Sequence, residues 1–305
     1  LFLEEYYQSP FKPFAAKGLR LPEDPFLDLD LDVRSRGQIL HRVCERVVGE
    51  KLWDISDEAL NTLIDQSRSD VGAPVYSENT WHFLKSFYFR VARSFINYEK
   101  QWRQDHPDMT TLAVEKKLSM KIGRRQEELV FNGDNGFPFR GTIDRVDQNS
   151  EGLVSIVDYK TSLGSITGPN TWIDKGRIQL LLYSIAMLEG AVEETKYDVV
   201  SACYYALKSL DRTKGFATES CPDDFVTVKK KISDEQFEQL LNSTKALLLQ
   251  IVEELENGNI KPEPKLNIQK ELCEKCYWNE LCRYPNLNLE QNLLERVPEQ
   301  VKPGT

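Results

Sequence analysis

The sequence has no long apolar stretch. No run among its 305 residues approaches the ~18 apolar residues that a membrane-spanning helix needs. Its first residues, LFLEEYYQSPFKPF, also lack the basic start and apolar core of a signal peptide. These two absences argue against a membrane or secreted protein and predict a cytoplasmic one. Because the chain begins with Leu1 rather than Met, we expect it to be a piece of a longer polypeptide.

An excess of positive charge is also missing. The chain has 39 Lys and Arg residues against 48 Asp and Glu residues, which leaves a net charge of −9. This balance argues against a strongly basic protein that coats nucleic acid. It does not exclude a metal-dependent nuclease, whose site is itself built from carboxylates. The length fits one large domain or two small ones.

Cysteine is scarce, and half of it lies in one place. Three of the six cysteines occur in CEKCYWNELC, residues 273–282, at a spacing of C-x2-C-x5-C. In a long chain without an export signal, clustered thiols indicate metal ligands rather than disulfides. Three soft ligands leave a tetrahedral metal site or an iron–sulfur cluster one ligand short. The position of a fourth ligand is therefore a question for the rest of the sequence.

Hydrophobic periodicity divides the first half of the chain into a helical part and a strand-rich part. Residues 34–50 repeat apolar side chains at helical spacing, and helical patterning continues to residue 104. From residue 111 the period changes to two, with Gly- and Asn-rich turns between the runs. This pattern predicts an antiparallel meander composed of TLAVEKKLSM, EELVF, PFRGTIDRVD and GLVSIVDYKTS.

Helix and strand patterns continue in the second half. A helix is predicted over 171–190, followed by the extended runs YDVVSACYYAL and DFVTVKK. The last helix is predicted to begin at Ser233, where SDEQ forms a capping box, and to end at Gly258. Strands flanked by helices indicate an α/β fold with a mixed central sheet.

The predicted strand that contains IVDYK is largely apolar but carries two charged residues. Strand alternation sends Asp158 and Lys160 to one face, and Val157 and Tyr159 to the other. A buried charge is costly unless it is paired, solvated or bound to metal. The preceding strand carries Asp144, and a turn at residues 149–152 would bring Asp144 beside Asp158, opposite Ile156 or Val157. Two carboxylates would then converge on a possible cation site; the alternative is a plain salt bridge on a sheet face.

Two further pairs share helix faces. Gln179 and Tyr183 are four residues apart, and so are Gly37 and His41. Taken alone, each pair is compatible with an ordinary structural role. In chain order, however, they extend the carboxylate pattern to G-x3-H (Gly37 to His41), G-x2-D (Gly141 to Asp144), D-x-K (Asp158 to Lys160), Q-x3-Y (Gln179 to Tyr183) and C-x2-C-x5-C.

This order of motifs resembles the RecB-like branch of the PD-(D/E)XK nuclease superfamily. Within it the chain is most similar to the AddB-type nuclease domains of bacterial helicase–nuclease complexes. The resemblance implies a restriction-endonuclease-like core in a single domain over residues 1–285, with a C-terminal tail at 286–305. The parts of that domain would be a helical region (34–104), the catalytic sheet and helix (111–230), a long helix (233–258) and the cysteine triad (273–282).

The resemblance implies a role for each motif residue. His41, Asp144, Asp158 and the backbone carbonyl of Tyr159 would hold Mg²⁺ or Mn²⁺. Lys160 would orient or deprotonate the attacking water and stabilise the transition state. Gln179 and Tyr183 would position the scissile strand or support Lys160. Glu115 is expected either to support the site from beside it or to be an ordinary surface glutamate.

DNA contacts are expected on basic and aromatic side chains around the site. The candidates are Lys116, Lys117, Arg124, Arg125, Arg140 and, for stacking on a base of single-stranded DNA, Trp172. The alternative is that the charged run EKKLSMKIGRR is only solvated surface. Arg145 and Asp147, which alternate away from Asp144, are expected to form an ordinary surface ion pair.

The resemblance also predicts where the fourth thiol should lie. AddB-type domains carry the first cluster cysteine near their start, and this chain has Ser9 at that point, in YYQSPFKPF. Three interpretations stay open for Cys273, Cys276 and Cys282. They hold an incomplete 4Fe-4S cluster with Ser9 or another ligand, they hold Zn²⁺, or they are vestigial. We favour an absent or labile cluster, whose role would be to tie the C-terminal segment to the N-terminal one.

The expected function is a Mg²⁺- or Mn²⁺-dependent deoxyribonuclease that processes DNA ends in repair or recombination. A helicase segment or subunit is the expected partner. The alternative from another class is a catalytically silent DNA-binding or scaffolding module of a helicase–nuclease complex. A stand-alone nuclease like the CRISPR-associated, cluster-bearing family is a second alternative.

Overall fold

The computed structural model describes residues 2–21, 33–73, 77–164, 166–191, 194–223, 228, 231–264, 269–274 and 276–284. Its helices are α1 (Phe2–Gln8), α2 (Phe11–Pro13), α3 (Val33–Gly49), α4 (Asp57–Asp70), α5 (Glu78–Asp105), α6 (Gln179–Leu188), α7 (Asp234–Glu256), α8 (Gln269–Glu274) and α9 (Asn279–Cys282). A π-helical turn follows α2 at Phe14–Gly18, and a 3-10 turn lies at Pro169–Thr171. No helix of these described ranges is long and apolar enough to cross a membrane.

The strands form one mixed sheet. They are β1 (Thr110–Arg125), β2 (Glu128–Phe131), β3 (Phe137–Gln148), β4 (Leu153–Lys160), β5 (Asp198–Ala206) and β6 (Asp211–Ala217). Their order is β2-β1-β3-β4-β5-β6, and β4 pairs with β5 in parallel while the other neighbours pair antiparallel. The prediction of a mixed sheet flanked by helices is therefore confirmed.

The predicted meander is wrong in its order. β2 is at the edge of the sheet, and β3 pairs with β1 instead of β2. The reason lies in strand length. β1 has 16 residues and β2 has four, so most of the backbone groups of β1 need another partner. β3, with 12 residues, supplies it along the other edge of β1.

Two further predictions need correction in the second half. The helix predicted over 171–190 begins only at Gln179, because the chain turns first at Gly176, where φ is 59°. β6, with the sequence DRTKGFA, has no apolar alternation and was not predicted. The extended run DFVTVKK lies outside the described residues except for Val228, and so does the tail at 286–305.

Serine caps fix the starts of three long helices. Ser56 and Ser77 accept hydrogen bonds from backbone amides at the starts of α4 and α5. Ser233 and Gln236 form the predicted capping box of α7. Gly258, just after α7, has a φ of 66°, which is the left-handed conformation that favours glycine at a helix end. The boundaries of the last long helix are therefore confirmed.

Helices cover both faces of the sheet. Ile156 of β4 packs into a core that includes Leu181 of α6 and residues of α1 and α7. Val157, the next residue, packs on the opposite face against Val43 of α3 and Phe95 of α5. This strand is buried on both faces, as strands in a covered parallel pair generally are. Asp158 and Lys160 therefore lie at the end of a strand whose other side chains are largely apolar and buried.

Candidate active site

The β3–β4 hairpin brings the two predicted carboxylates together. Arg145 pairs with Val157 and Val146 with Ile156. The next step of this register sets Asp144 beside Asp158, one residue farther along β4 than the sequence predicted. Asp144 Oδ2 accepts a hydrogen bond of 2.7 Å from the backbone amide of Tyr159. The predicted register differs from the observed one by a single residue, because only the length of the turn between β3 and β4 was uncertain.

The backbone is irregular around Asp144. Ile143 and Val146 both pack into the core on the α6 side, although they are three positions apart and strict alternation would separate them. Across from them on β1, Glu115 has a φ of 47°, which non-glycine residues rarely adopt. Strained backbone of this kind concentrates at functional sites. It lies here next to the predicted catalytic carboxylate.

Asp158 is buried and held by two neighbours. Its Oδ2 lies 2.5 Å from Lys160 Nζ, and its Oδ1 accepts a hydrogen bond of 2.7 Å from Gln179 Nε2. Burial and the charge of Asp144 raise the pKa of Asp158, Lys160 lowers it, and the net result is a pKa of about 6. For Lys160, burial lowers the pKa, but the charge of Asp158 outweighs it and the pKa is raised overall. The pair is therefore a desolvated carboxylate with a charged ammonium beside it.

The helix α6 completes the hydrogen-bond network. Gln179 and Tyr183 lie on one face of α6, as their spacing predicted, and Gln179 Nε2 also lies 3.1 Å from Tyr183 Oη. Lys160 Nζ donates to Gln179 Oε1 at 3.2 Å. Tyr183 Oη donates to the backbone oxygen of Thr142 at 2.8 Å, which ties α6 to β3. Gln179 thus links the lysine, the carboxylate and the tyrosine.

His41 approaches from the other side of the sheet on α3. Its Nδ1 lies 3.4 Å from Asp144 Oδ2, and its ring meets the Tyr159 ring edge-on at 5.9 Å between centroids. Burial lowers the pKa of His41, but the hydrogen bond and charge of Asp144 outweigh it and raise the pKa overall. We call His41, Asp144, Asp158, Lys160, Gln179 and Tyr183 the site network.

Two glutamates adjoin the site network. Glu115 is half-buried beside Asp144, and burial, together with the charges of Asp144 and Glu45, raises its pKa to about 7. Glu4, on α1, is near Lys160 and Gln179, and its charge interacts with both Lys160 and Asp158. Sequence reasoning missed Glu4. No motif or periodicity near the start of the chain signals a contact with β4.

The donor atoms of the site network suit a hard divalent cation. Two carboxylates and an imidazole converge, and oxygen-rich sets of this kind are typical of Mg²⁺ and Mn²⁺ sites. Within the described ranges, however, no group of three or more His, Cys, Asp or Glu side chains is already arranged around one ion position. At this site the ammonium of Lys160 occupies one side of Asp158, because it contacts that carboxylate directly. The residues fit the ion chemically, and a cation would have to share Asp158 with Lys160.

The cysteine triad lies against the N-terminal segment. Ser9, Cys273, Cys276 and Cys282 line one cavity of about 40 Å³. Burial and the neighbouring thiols raise the pKa of both Cys273 and Cys282. The structure thus brings Ser9 to the triad, whereas Cys44 is buried in the helical core on the α3 side. Among the described residues, the three cysteines are also not arranged around a common position for a metal ion.

The predicted DNA contacts fall in different surroundings. Arg140 is exposed and lines a cavity of about 1090 Å³, whose lining also includes Thr142 and Tyr183. Arg124 is already paired with Glu253 and Glu256, at 3.5 and 2.6 Å. Lys117 and Arg125 are exposed and Lys116 is half-buried, all on β1.

Two predictions about side chains near the site are wrong. Trp172 is fully buried against Tyr204 and Phe216, so it has no face free to stack on a base. Arg145 and Asp147 are buried as well, with 0% and 2% of their surface exposed, and do not form a surface ion pair. Elements distant in the sequence cover both sites: strands β5 and β6 contact Trp172, and helix α5 contacts Arg145.

Comparison with known proteins supplies the family. The sequence model described as the PD-(D/E)XK nuclease superfamily matches residues 2–283. An ATP-dependent helicase/deoxyribonuclease subunit from Streptococcus agalactiae is 28% identical over 160 residues, which are 52% of this chain and 14% of the relative. In Streptococcus pneumoniae, a protein of the same name and one named exonuclease/helicase subunit RexB are each 28% identical over 171 residues, 55% of this chain and 15% of the relative. The match thus spans only a small part of these longer relatives.

Proposed function

The chain belongs to the PD-(D/E)XK nuclease superfamily, and on this basis we propose that it is a divalent-metal-dependent deoxyribonuclease. It would hydrolyse phosphodiester bonds at DNA ends during repair or recombination. The observation that carries the proposal is the convergence of Asp144, Asp158 and Lys160 at one end of β4, joined by Gln179. The lysine and one carboxylate that such hydrolysis needs are in direct contact, and the second carboxylate lies beside them on the neighbouring strand.

Each member of the site network has a task in this proposal. His41, Asp144, Asp158 and the backbone carbonyl of Tyr159 would hold the cation. A bound divalent cation supplies charge screening for the phosphate and lowers the pKa of a water molecule from ~15.7 toward neutrality. The ammonium of Lys160 orients the attacking water and stabilises negative charge on the phosphate oxygens. Gln179 and Tyr183 hold Lys160 and Asp158 in place through hydrogen bonds that reach β3.

The cavity lined by Arg140 is the proposed path of the DNA strand. It has a volume of about 1090 Å³, and its lining includes Thr142 and Tyr183, the latter a member of the site network. Lys12, Lys17 and Arg140 line it, and none of these three cations forms an ion pair with a described residue. Phosphates attract such unpaired cations. We call this cavity the basic groove.

Aromatic rings interleave the cations of the basic groove. Phe2, Phe137 and the half-exposed Tyr277 line it. The Phe2 ring already packs on Tyr6 and lies under Lys17, so Tyr277, with 53% of its surface exposed, is the ring best placed to stack on an unpaired base. The exposed ring of Tyr277 therefore supports a single strand as the occupant of the groove, because the paired bases of a duplex have their faces covered.

A helicase is the proposed partner. The relatives named as helicase/deoxyribonuclease subunits are far longer than the matched region, which covers 14–15% of them. A nuclease domain attached to, or assembled with, a helicase would receive a strand that has already been unwound. The cysteine triad takes no part in hydrolysis in this proposal. It would tie α8 and α9 to the segment around Ser9, with Zn²⁺ or an iron–sulfur cluster as the bound group.

The test is cleavage of linear and circular DNA by the purified chain in Mg²⁺ and in Mn²⁺, with Lys160→Ala beside it. Lys208→Ala is the matched control, because Lys208 is exposed next to the end of β4 but does not contact the site network. We expect metal-dependent cleavage that Lys160→Ala abolishes and Lys208→Ala retains. DNA binding without cleavage by the folded wild-type chain would contradict the proposal and favour a silent DNA-binding module.

A further inference from the structure

Glu4 is held firmly at the edge of the site network. It lies on α1, whose Leu3 and Tyr6 are buried in the core that also contains α6. Tyr6 Oη donates to the backbone oxygen of Asn259 at 2.7 Å. Gln8 Nε2 donates to the backbone oxygen of Gly176 at 3.1 Å, just before α6. These contacts fix the position of α1 relative to α6 and therefore fix Glu4.

The carboxylate of Glu4 is only partly satisfied. Its Oε2 is buried and has no hydrogen-bond partner among the described residues. The backbone amide of Gln179, at the start of α6, donates to the carboxylate. Burial raises the pKa of Glu4, and the charge of Lys160 is among the influences that lower it. A buried acidic group without a full set of partners is costly, so its presence beside a lysine calls for an explanation.

Lys160 offers that explanation. In the structure its ammonium contacts Asp158 at 2.5 Å and Gln179 at 3.2 Å. The proposed cation would also need Asp158, and a carboxylate that binds a divalent ion is a weaker partner for an ammonium. Gln179 is neutral and cannot replace the lost negative charge. Glu4 is the remaining anion on the α6 side that interacts with Lys160.

We propose that Glu4 is a positioning residue that holds the ammonium of Lys160 and the first turn of α6 in place when Asp158 binds the cation. The inference rests on the proposed nuclease function, because it assigns Glu4 a part in the same site. Glu4 acts through Lys160 and Gln179 and does not itself contact the phosphate or the cation. It also places α1 in the active site, although none of the five ordered motifs from Gly37 to Cys282 lies there.

One consequence concerns the cysteine triad. Glu4 and Gln8 lie on the same short helix, and Ser9 comes directly after it with a helical hydrogen bond from its amide to the oxygen of Glu5. Gln8 and Ser9 both line the cavity of the three cysteines. A change that displaces this end of α1 therefore also displaces Glu4. The triad would influence cleavage through this helix without taking part in chemistry.

The first experiment compares Glu4→Gln with Glu5→Gln. Both variants remove one negative charge from α1, but Glu5 lines the basic groove. We expect Glu4→Gln to lower kcat roughly 10- to 100-fold with KM for single-stranded DNA unchanged, as for a misplaced catalytic group. Glu5→Gln should instead lower KM, because it removes a charge that repels the DNA, and leave kcat unchanged. Glu4→Asp should recover part of kcat.

Three outcomes would overturn the inference, and the first two concern Glu4→Gln alone. The first is an unchanged kcat in Glu4→Gln. The second is a loss of Mn²⁺ affinity of tenfold or more in Glu4→Gln, measured by calorimetry, because it would make Glu4 a metal ligand. Equal losses of kcat in Glu4→Gln and Glu4→Asp, accompanied by a lower thermal midpoint, would also reject it in favour of a purely structural role.

A second measurement does not depend on cleavage. Amide hydrogen exchange at Gln179 should be slow in the wild-type chain and faster in Glu4→Ala, because the acceptor of this amide is removed. Glu5→Ala is the control and should leave exchange at Gln179 unchanged. Unchanged exchange in Glu4→Ala would contradict the inference. If the wild-type chain fails to cleave DNA, the proposed function fails, and exchange at Gln179 still decides whether Glu4 holds α6.

Discussion

The β3–β4 hairpin supplies charged residues to two clusters that differ in their access to solvent. The site network contains Asp144, Asp158 and Lys160, and about a third of the Lys160 side chain is exposed. On the α5 side, Glu99, Arg145, Asp147 and Arg212 form what we call the buried ion cluster, in which none of the four is more than 4% exposed. Both clusters pair carboxylates with cations, and only the first has an opening.

The contacts of the buried ion cluster explain its closure. Arg145 lies 2.6 Å from Glu99 and 2.7 Å from Asp147, and Arg212 also pairs with Glu99. The guanidinium of Arg212 lies 4.1 Å from the centre of the Tyr205 ring. Charges that are paired and covered by rings have no room for a substrate. Residue type therefore does not separate a structural ion cluster from a catalytic one, whereas access to solvent does.

The strongest loss of activity is expected for Asp158→Asn, which should lower the rate of cleavage by about 10³-fold or more because it removes a cation ligand. Stability should not fall with it. A pKa raised to about 6 means that the ionised carboxylate is less stable in the folded chain than in the unfolded chain at pH 7. The free energy of unfolding in urea at pH 7 should therefore be unchanged or higher. If Asp158→Asn unfolds the chain, Asp158 has a structural role like that of the buried ion cluster, and the catalytic assignment fails.

The opposite pattern is expected for Glu99→Gln in the buried ion cluster. Removing this charge leaves Arg145 and Arg212 buried without their shared partner, so the free energy of unfolding should fall by about 3–5 kcal/mol. At a temperature where the variant is still folded, cleavage per folded molecule should stay at the wild-type level. Urea titration and single-turnover cleavage measure the two quantities. A stable variant with weakened cleavage would show that the cluster serves the chemistry.

A smaller effect is expected in the basic groove. Lys12→Ala, Lys17→Ala or Arg140→Ala should each raise KM for single-stranded DNA about three- to tenfold and reduce the slope of log affinity against log salt by ~0.7. Arg124→Ala is the matched control. Because Glu253 and Glu256 already neutralise Arg124, its removal should change KM little. Equal effects from all four substitutions would mean that general charge, and not this groove, attracts DNA.

The weakest effect on cleavage is expected at the cysteine triad. Ser9→Cys should increase the zinc or iron that copurifies with the chain, because it adds a thiol to the cavity of Cys273, Cys276 and Cys282. The rate of cleavage should change less than threefold, since Ser9→Cys is a small substitution that adds a thiol without displacing α1. Elemental analysis gives the metal content, with Cys44→Ser as the control. Unchanged metal content would favour vestigial cysteines.

Local patterns predicted part of the site well. The alternation of β4 placed Asp158 and Lys160 on one face, and helical spacing placed Gln179 and Tyr183 on another. The strand order and the start of α6 could not be predicted in the same way. Whether β3 pairs with β1 or β2 depends on strand lengths, and the start of α6 depends on the turn at Gly176. The pairing of β3 and the start of α6 each depend on several weak local preferences. A periodicity pattern does not show which of these preferences is strongest.

Short-range sequence patterns were sufficient to predict a mixed sheet flanked by helices, the capping box at Ser233 and the face shared by Asp158 and Lys160. Long-range packing alone brings Glu4 near Lys160 and Ser9 to the cysteines, and it alone buries Arg145. The difference arises from separation along the chain. Periodicity acts between neighbours, whereas burial and electrostatic contact depend on which distant segments pack together.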